Sequence, residues 1–425
     1  MHQPPQVAVE QKVVGVGSCG LDYLAQVASF PKPDDKLRTE NLQTQGGGNC
    51  ANALTAASRL GLRPLLVTKI GDDAVGDGIL KELENDGVNT DFVLRAKGSP
   101  SPFTYIIVDR EGGTRTCIHT PAAPLAADDL SASRIGEALS GAALVYFDGR
   151  LAEAALQVAK AARSAGIPIL VEAERLRPGL NELLAHADYV VTSTRFPKAW
   201  TGEESLGDAL LSTFQRLPHV RWMVTTLGAQ GSVFLEHVDA LQEKDSIPTA
   251  KLDDVLKHLS ATVRDHTENS TDDSPACSAA SGAEIRVGHS AATEGPMFLQ
   301  WTRDESTLSE VRQRADAAAA AAAVSNADSA SASQYNRTGS TAKGADQLPV
   351  AKVIVASAAR IAKEAIVDTT GAGDAFIGTM LYAICNGMPP EESLRLAAVV
   401  AATKCTAVGA RTGLPHRDAL CAHIL

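Results

Sequence analysis

The fold is decided by the segment Asp368-Thr369-Thr370-Gly371-Ala372-Gly373-Asp374-Ala375-Phe376. Two glycines flank Ala372, an aspartate follows directly, and the apolar run from Ala375 to Cys385 predicts a helix. A glycine turn that opens a helix forms an anion site, because the first backbone N–H groups have no partner within the helix. Asp374 falls in the first turn. Its carboxylate there can cap the helix, pair with the helix dipole or act as a general base beside bound phosphate.

The composition limits the classes of partner. The chain has 425 residues, of which 44% are hydrophobic, so it can bury a large core, and its length alone allows two or three domains. The formal net charge is -11. An acidic chain repels nucleic acid and anionic membranes, so we expect neither as a partner. Any bound phosphate has to be held by local amides and a few placed cations.

The cysteines and the hydropathy pattern predict a soluble cytoplasmic protein. The seven cysteines are scattered, odd in number and without a Cys-x-x-Cys pair or a zinc spacing, which fits free thiols in a reducing compartment. No apolar run reaches the roughly 18–20 residues that a membrane span requires. The segment Met1 to Gln11 carries no basic-then-apolar targeting signal.

Two polar motifs lie near the ends of predicted elements in the first sixty residues. Lys12 to Gly17 is a short apolar strand, and Asp22 follows its carboxyl end, where ligands bind in open α/β sheets. An ordinary loop aspartate is the alternative. The segment Gly46-Gly47-Gly48-Asn49-Cys50-Ala51-Asn52 opens a helix. Glycines allow close approach of a ligand, and asparagine amides suit hydroxyl groups. Simple N-capping by Asn49 is the alternative, but it leaves the glycine triplet unexplained.

Strands and helices alternate along most of the chain. The series that begins with the strand Leu144–Asp148, the helix Ala152–Ala165 and the strand Ile167–Glu172 is one example. Such alternation indicates a parallel sheet with crossover helices. Phe103–Val108 and Arg115–His119 are instead typical of a hairpin, which we expect to form a lid outside the main sheet.

The composition changes between about residues 237 and 350. This segment is rich in Ser, Ala, Thr, Asp and Glu and contains the alanine run Ala317–Ala323. We predict a low-complexity insertion that is largely disordered. Two parts can be ordered: a capping box at Thr307–Glu310, and the apolar patch Met297–Trp301, which can dock on the body of the chain or on a partner.

The two ends of the ordered chain together resemble the PfkB (ribokinase-like) family of carbohydrate kinases. Gly47–Asn52 with Arg59-Leu60-Gly61 resembles the N-terminal signature, and Asp368–Phe376 resembles the C-terminal one. The resemblance implies an α/β fold, a ribokinase-like three-layer α/β/α sandwich with a mostly parallel central sheet and a small β lid. We therefore expect a single kinase domain over residues 12–425, with the lid at about 18–45 and 100–121.

Within the family, the chain is most similar to ketohexokinase and to plant and algal PfkB-like sugar kinases. Gly113–His119 and Gly409–Gly413 carry this resemblance. It implies an ATP-dependent transfer of the γ-phosphoryl group to a hydroxyl of a ketose, with ribose or a nucleoside as the alternative substrate class. By analogy with ketohexokinase, it also implies a homodimer through the lid.

The resemblance implies roles for individual residues. Asp374 would be the catalytic base, and the amides of Gly371, Ala372 and Gly373 would form the anion hole. The residues implied to bind the sugar or a phosphate are Asp22, Gly48, Asn49, Asn52, Arg115 and Arg150. The residues implied to bind ATP are Thr226, Gly228, Gly231 and Gly373.

The expected cofactors are ATP and Mg²⁺, with K⁺ as a monovalent cation near Asp368. One departure from the family pattern concerns magnesium. The family often has Asn-x-x-Glu after a mid-chain strand, whereas this chain has Ser193 and Phe196 at those positions. Water and the ATP phosphates would then hold the ion. This departure and the insertion leave a second hypothesis open, a non-catalytic PfkB-like protein with a binding or regulatory role.

Overall fold

A computed structural model of the chain describes residues 11–112, 114–238, 252, 256, 285–287, 298–299, 350–359 and 361–420. Most of the predicted insertion, including the capping box at 307–310, lies outside the described residues. Of the apolar patch at 297–301, only Phe298–Leu299 is described, as a short strand.

The described strands follow the predicted alternation closely. They are β1 (Lys12–Val16), β2 (Gly20–Val27), β3 (Asn41–Gly47), β4 (Arg63–Gly71), β5 (Val93–Ala96), β6 (Phe103–Asp109), β7 (Thr114–Thr120), β8 (Ala142–Phe147), β9 (Ile169–Ala173), β10 (Tyr189–Ser193), β11 (Trp222–Thr226), β12 (Ser232–Val238), β13 (Ile285–Val287), β14 (Phe298–Leu299) and β15 (Val350–Ala356).

The described helices connect these strands. They are α1 (Asn49–Arg59), α2 (Ala74–Asn85), α3 (Ala132–Leu139), α4 (Ala152–Ser164), α5 (Leu180–Leu184), α6 (Arg195–Thr201), α7 (Leu206–Gln215), α8 (Ala372–Cys385) and α9 (Pro390–Lys404). None of the helices in the described residues combines the length and the apolar character needed to cross a membrane.

The main sheet has eleven strands in the described residues. Its order is β13-β15-β12-β11-β10-β9-β8-β1-β4-β5, and β14 pairs with β15. Within this order, the seven strands β11-β10-β9-β8-β1-β4-β5 pair in parallel. Strands β12 and β15 are antiparallel to their neighbours. The carboxyl ends of the parallel strands therefore lie at one edge of the sheet, where ligands bind in this class of fold.

Both faces of the main sheet are buried. Side chains alternate between the two faces of a strand, so Val13 and Val14 of β1 belong to different hydrophobic clusters. The cluster with Val14 includes residues of α4, and the cluster with Val13 includes residues of α1 and α8. The result is three layers, helices on either side of a mostly parallel sheet, as predicted for the fold class.

A second, four-stranded sheet has the order β3-β2-β6-β7. The β6–β7 hairpin forms where the sequence predicts it. Two details differ from the expectation. Residues 36–40 of the predicted lid precede β3, which begins only at Asn41, and Asp22 lies within β2 rather than in a loop. The register places Asp22 and Arg115 on one face of this sheet, and Tyr23, Tyr105 and Ile118 on the other.

Helices α1 and α8 approach closely at Gly378. A Cβ atom at this glycine would lie 2.4 Å from the carbonyl oxygen of Ala53 and 2.6 Å from the Cβ of Ala56. Only a residue without a side chain allows this separation. The close packing at Gly378 therefore brings the start of α1, with its glycine-asparagine segment, near the start of α8, with its glycine-aspartate segment.

We predict that Gly378→Ala destabilises the protein. The added methyl group forces the helices apart, and overpacking of this kind costs about 1–3 kcal/mol. Gly78→Ala is the matched control, because Gly78 is exposed on α2 and no atom of the described residues lies within 4 Å of the place that a Cβ would take. That variant should be as stable as the wild type or more stable by up to about 1 kcal/mol. Urea unfolding measures both, and equal stability of Gly378→Ala and wild type would contradict the packing argument.

Candidate active site

The candidate site lies at the carboxyl edge of the main sheet, where α1 and α8 begin. Gly48 precedes α1 with φ of 91°, and a Cβ there would lie 2.5 Å from the Cα of Cys19. Gly371 precedes α8 with φ of 77°, and a Cβ there would lie 2.7 Å from Ala410. Both turns require glycine for their backbone conformation and for space. They present the two helix N-termini, with Asn49, Asn52 and Asp374, to the same region.

Asp374 and Asn52 are in direct contact. Asn52 Nδ2 donates a hydrogen bond of 2.8 Å to Asp374 Oδ2, and Asn52 Oδ1 accepts one of 2.9 Å from Arg411 Nε. Asn52 and Arg411 are buried, and Asp374 is partly buried. The structure thus brings together the predicted base and one predicted sugar-binding residue.

A second group of polar side chains lies at the ends of β8 and β9. Asn49 Nδ2 donates to Glu172 Oε1 at 3.2 Å, and the Tyr146 hydroxyl donates to Glu172 Oε2 at 2.7 Å. Asp148 accepts hydrogen bonds from the backbone N–H and the hydroxyl of Ser18. Arg150 lies over this group, with Nη2 3.5 Å from Asn49 Oδ1.

The surroundings of these groups raise the pKa values of two carboxyls. Burial raises the pKa of Asp374 to about 6; the nearby Asp148 and Glu174 charges add to the rise, and the Asn52 hydrogen bond opposes it. Burial also raises the pKa of Glu172, and the charges of Asp374 and Asp148 add to that shift. The site therefore concentrates negative charge in a partly desolvated place, which is typical of functional sites.

Asp22 reaches the site from the four-stranded sheet. Burial raises its pKa to about 6, against the effect of a hydrogen bond with Thr104 and of the Arg411 charge. Its carboxylate lies against Gly47, where a Cβ would be 2.3 Å from Asp22 Oδ2. Gly47 is therefore needed to leave room for this carboxylate beside α1.

Arg115 connects the four-stranded sheet to the glycine turn before α8. Its Nη1 donates to Asp368 Oδ1 at 2.7 Å and to the Thr370 hydroxyl, and its Nη2 donates to the Thr369 hydroxyl at 2.6 Å. In the turn itself, the amide of Ala372 donates to the Thr369 carbonyl at 3.3 Å. Among the residues that the structure describes, no side chain caps α8.

The oxygens of Asp368 are occupied by protein donors. Oδ1 accepts from the amide and hydroxyl of Thr370, and Oδ2 accepts from the amide of Gly409. Burial by itself would raise the pKa of Asp368, but these hydrogen bonds hold that pKa below its ordinary value. The carbonyl of Asp368 accepts a 2.7 Å bond from the buried ammonium of Lys404. Asp368, the residue predicted to lie near a monovalent cation, thus already accepts hydrogen bonds from protein donors at both carboxylate oxygens.

The predicted nucleotide-binding residues lie farther along the same edge. Thr226 ends β11, and Gly228 and Gly231 flank the turn to β12. At the positions of the missing Asn-x-x-Glu, Phe196 is fully buried in the core and stacks on Trp200. Ser193 ends β10. Neither residue offers a carboxylate to magnesium.

Comparison with known proteins decides the family. A family model described as "pfkB family carbohydrate kinase" matches residues 10–255 and 342–417. The chain belongs to the PfkB family of carbohydrate kinases. Its family makes it a phosphotransferase with an alcohol group as acceptor, as the two signatures predicted.

The relatives of this PfkB protein include several ribokinases. It is 28% identical to the ribokinase of Bacillus subtilis over 199 residues, which cover 46% of this chain and 66% of that enzyme. It is 25% identical to the ribokinase of Arabidopsis thaliana over 260 residues, which cover 60% of this chain and 67% of that enzyme. The matched regions thus span about two thirds of the length of these relatives.

Solved structures confirm the ribokinase-like fold. A putative ribokinase from Agrobacterium tumefaciens matches with a TM-score of 0.61 at 21% identity, covering 96% of both chains. The ribokinase of Arabidopsis thaliana complexed with ribose and ATP matches with a TM-score of 0.60 at 20% identity, covering 97% of both chains. The finer resemblance to ketohexokinase stays a prediction.

Sequence reasoning assigned no role to four residues that the PfkB site contains. Ser18, Asp148, Glu172 and Arg411 each make hydrogen bonds to the site residues or to one another. Acidic residues at the ends of apolar strands were a usable signal for Asp148 and Glu172. Nothing in the local sequence around Arg411 indicates that it contacts a residue 359 positions earlier.

We predict that Glu172→Gln stabilises the protein at pH 8. A neutral amide removes a buried negative charge beside Asp374 and Asp148, and the Tyr146 hydroxyl can donate or accept. We expect a gain of about 1–2 kcal/mol in the free energy of unfolding. The gain should largely vanish at pH 5, where the raised pKa leaves Glu172 already protonated in the folded wild type.

Urea unfolding at the two pH values measures this effect. Glu137→Gln, at an exposed position of α3, is the control and should change stability little at either pH. A loss of stability in Glu172→Gln at pH 8 would show that the folded protein stabilises the charged carboxylate of Glu172, which would contradict this prediction.

Proposed function

We propose that this protein is an ATP-dependent sugar kinase in which Asp374 is the catalytic base. The observation that carries the proposal is the contact between Asn52 and Asp374 beside the glycine turn of α8. With Asp374 as base, an acceptor for a hydroxyl proton would lie next to backbone donors for a phosphoryl group. A carboxylate serving only as a helix cap would not need a partner from α1.

The sugar would bind between α1 and the inner face of the four-stranded sheet. Asp22, Asn49 and Asn52 would supply acceptors and donors for several hydroxyl groups, and Gly48 would allow close approach. Asp148 and Glu172 extend this set. Such a polar site discriminates strongly against analogues that lack a hydroxyl, because buried polar groups would then lose their partners.

Phosphoryl transfer would then proceed in line. The sugar hydroxyl oxygen forms a bond to the γ-phosphorus of ATP, the bond from that phosphorus to the β,γ-bridging oxygen breaks, and ADP leaves. The hydroxyl proton passes to Asp374. The amides of Gly371 and Gly373 would stabilise the phosphoryl oxygens with fixed donors, since the Ala372 amide is already directed at Thr369.

The remaining groups would act around this centre. We propose that Thr226, Gly228 and Gly231 line the nucleotide site, and that Arg115 and Arg150 provide positive charge near the phosphates or the sugar. Magnesium supplies charge neutralisation when it is bound to ATP phosphates. Ser193 and Phe196 offer no carboxylate ligand for it.

The ribose class is favoured as substrate over a ketose. The curated relatives from Bacillus subtilis and Arabidopsis thaliana are named ribokinases, and a solved relative of the same fold was complexed with ribose and ATP. The ketose predicted from the ketohexokinase-like segments is the second candidate. Both are polyols that the same set of side chains can hold.

We also propose a homodimer through the outer face of the four-stranded sheet. Leu42, Tyr105 and Ile118 on that face are 60%, 51% and 54% exposed. Apolar side chains gathered on one sheet face are typical of an interaction surface. The inner face, with Asp22 and Arg115, would stay directed at the active site.

Asp374→Asn should abolish most of the activity. Loss of a positioned general base lowers kcat by about 10²-fold or more. ADP release with ribose, fructose, other sugars and adenosine measures the activity. Asp208→Asn is the matched control, because Asp208 is exposed in the first turn of α7. Full activity of Asp374→Asn would refute the mechanism, and no phosphorylation of any acceptor would favour the non-catalytic alternative.

The rate should depend on the ionisation of Asp374. Because the base must be deprotonated and burial raises its pKa to about 6, kcat/KM should fall about tenfold per pH unit below pH 6 and level off above it. Asp148→Asn removes a neighbouring negative charge, so its inflection should move to lower pH. An unchanged inflection in that variant would show that another group controls the profile.

A further inference from the structure

We propose that Arg411 is a positioning residue that orients the Asn52 amide so that its NH₂ group, and not its oxygen, faces Asp374. The proposal deepens the function proposed above, since it rests on Asp374 as the base. It assigns a role to the segment at 409–413, which contains none of the site residues predicted from the sequence.

The Arg411 guanidinium is held on three sides. Its Nε donates to Asn52 Oδ1 at 2.9 Å, its Nη2 donates to the Gly47 carbonyl at 3.0 Å, and its Nη1 lies 3.3 Å from Glu82 Oε1. The side chain is only 2% exposed. A planar group with fixed donors in three directions has little freedom to turn.

The backbone of Arg411 is also anchored. Its carbonyl accepts a 2.8 Å bond from Arg59 Nη1, and Arg59 is in turn paired with Asp86. Glu82 accepts a second bond, from the amide of Gly46. Arg411 is thereby fixed relative to α1 and to the glycine segment that precedes it.

The orientation of Asn52 follows from the chemistry of arginine. A guanidinium has five N–H donors and no acceptor, so the atom of the Asn52 amide that faces it must be the oxygen. The NH₂ group then necessarily faces Asp374 Oδ2, 2.8 Å away. Without Arg411, the amide could turn by 180° and direct its oxygen at the carboxylate. Two facing acceptors repel each other unless Asp374 takes up a proton.

Arg411 therefore keeps Asp374 able to accept the proton of the sugar hydroxyl. The Asn52 hydrogen bond lowers the pKa of Asp374 against the effect of burial and of neighbouring carboxylates. The other titratable or charged groups that face Asp374 are Asp148, Glu172, Glu174, Arg150, Cys50, Tyr146 and Lys404. These groups act on Asp374 through their charge, and the Arg411–Asn52 hydrogen bond is not part of those interactions.

The test is a double-mutant cycle on the pH profile of kcat/KM. In Arg411→Met we expect the inflection to move to higher pH. For a shift of one pH unit from the wild-type inflection near pH 6, kcat/KM should fall about fivefold more at pH 6 than at pH 8.5. In the Asn52→Leu background, Arg411→Met should cause no further shift. Glu82→Gln, which leaves the Asn52 contact in place, should not move the inflection. Arg411→Lys keeps a charged donor, so its inflection should lie between those of the wild type and Arg411→Met. This variant replaces Arg411→Met in the test if Arg411→Met does not fold.

Two results would overturn the proposal. One is an unchanged inflection in both Arg411 variants. The other is an equal shift from Arg411→Met in the wild-type and Asn52→Leu backgrounds, which would indicate a direct effect of charge.

A second measurement separates this proposal from the proposed function. The difference in unfolding free energy between Asp374 and Asp374→Asn proteins, followed against pH, reports the proton affinity of Asp374 without any substrate. It should show an upward shift when Arg411 is replaced by Met. If the wild type phosphorylates no sugar, the proposed function fails while this measurement still decides the role of Arg411.

Discussion

The close packing of α1 against α8 is the constraint on which the site depends. Gly378 allows the two helix axes to approach until Asn52 and Asp374 form a hydrogen bond across 322 positions of sequence. Each helix begins at a glycine turn with a positive φ, and each turn points its N-terminus at the carboxyl edge of the sheet. The glycine-asparagine and glycine-aspartate segments therefore act as one site only because the helices that carry them are in contact.

A second theme is the concentration of acidic groups in a place with little water. Asp22, Asp148 and Glu172 are all buried, and burial raises the pKa of Asp22 and of Glu172. Burying a carboxylate is unfavourable even where a positive charge lies near, as Arg150 does 3.9 Å from Asp148. Sugar hydroxyls need acceptors, however, and a phosphate-transfer reaction needs a base. The proposed function accounts for polar groups whose desolvation is unfavourable, since they would hold the substrate.

The four-stranded sheet is joined to this centre rather than separate from it. Its inner face carries Asp22 into the polar group, and Arg115 binds the side chains of the turn before α8. The same sheet leaves apolar side chains exposed on its outer face. A movement of the sheet would therefore change the proposed sugar-binding and phosphate-binding parts of the site together.

The sequence by itself determined the fold class, the family and the candidate base, because these depend on local patterns: strand–helix alternation, and glycines at turns that need positive φ or close approach. The lid hairpin also followed from a local pattern. Arg411 could not be assigned in this way, since its contact with Asn52 joins distant segments of the chain. For Asp148 and Glu172 the local pattern shows an acidic residue at the end of a strand, but not the partners of that residue. The same holds for Asp368, whose oxygens accept hydrogen bonds from Thr370, Gly409 and Arg115. Hydrogen-bond partners are set by packing in three dimensions, and only the tertiary structure decided them.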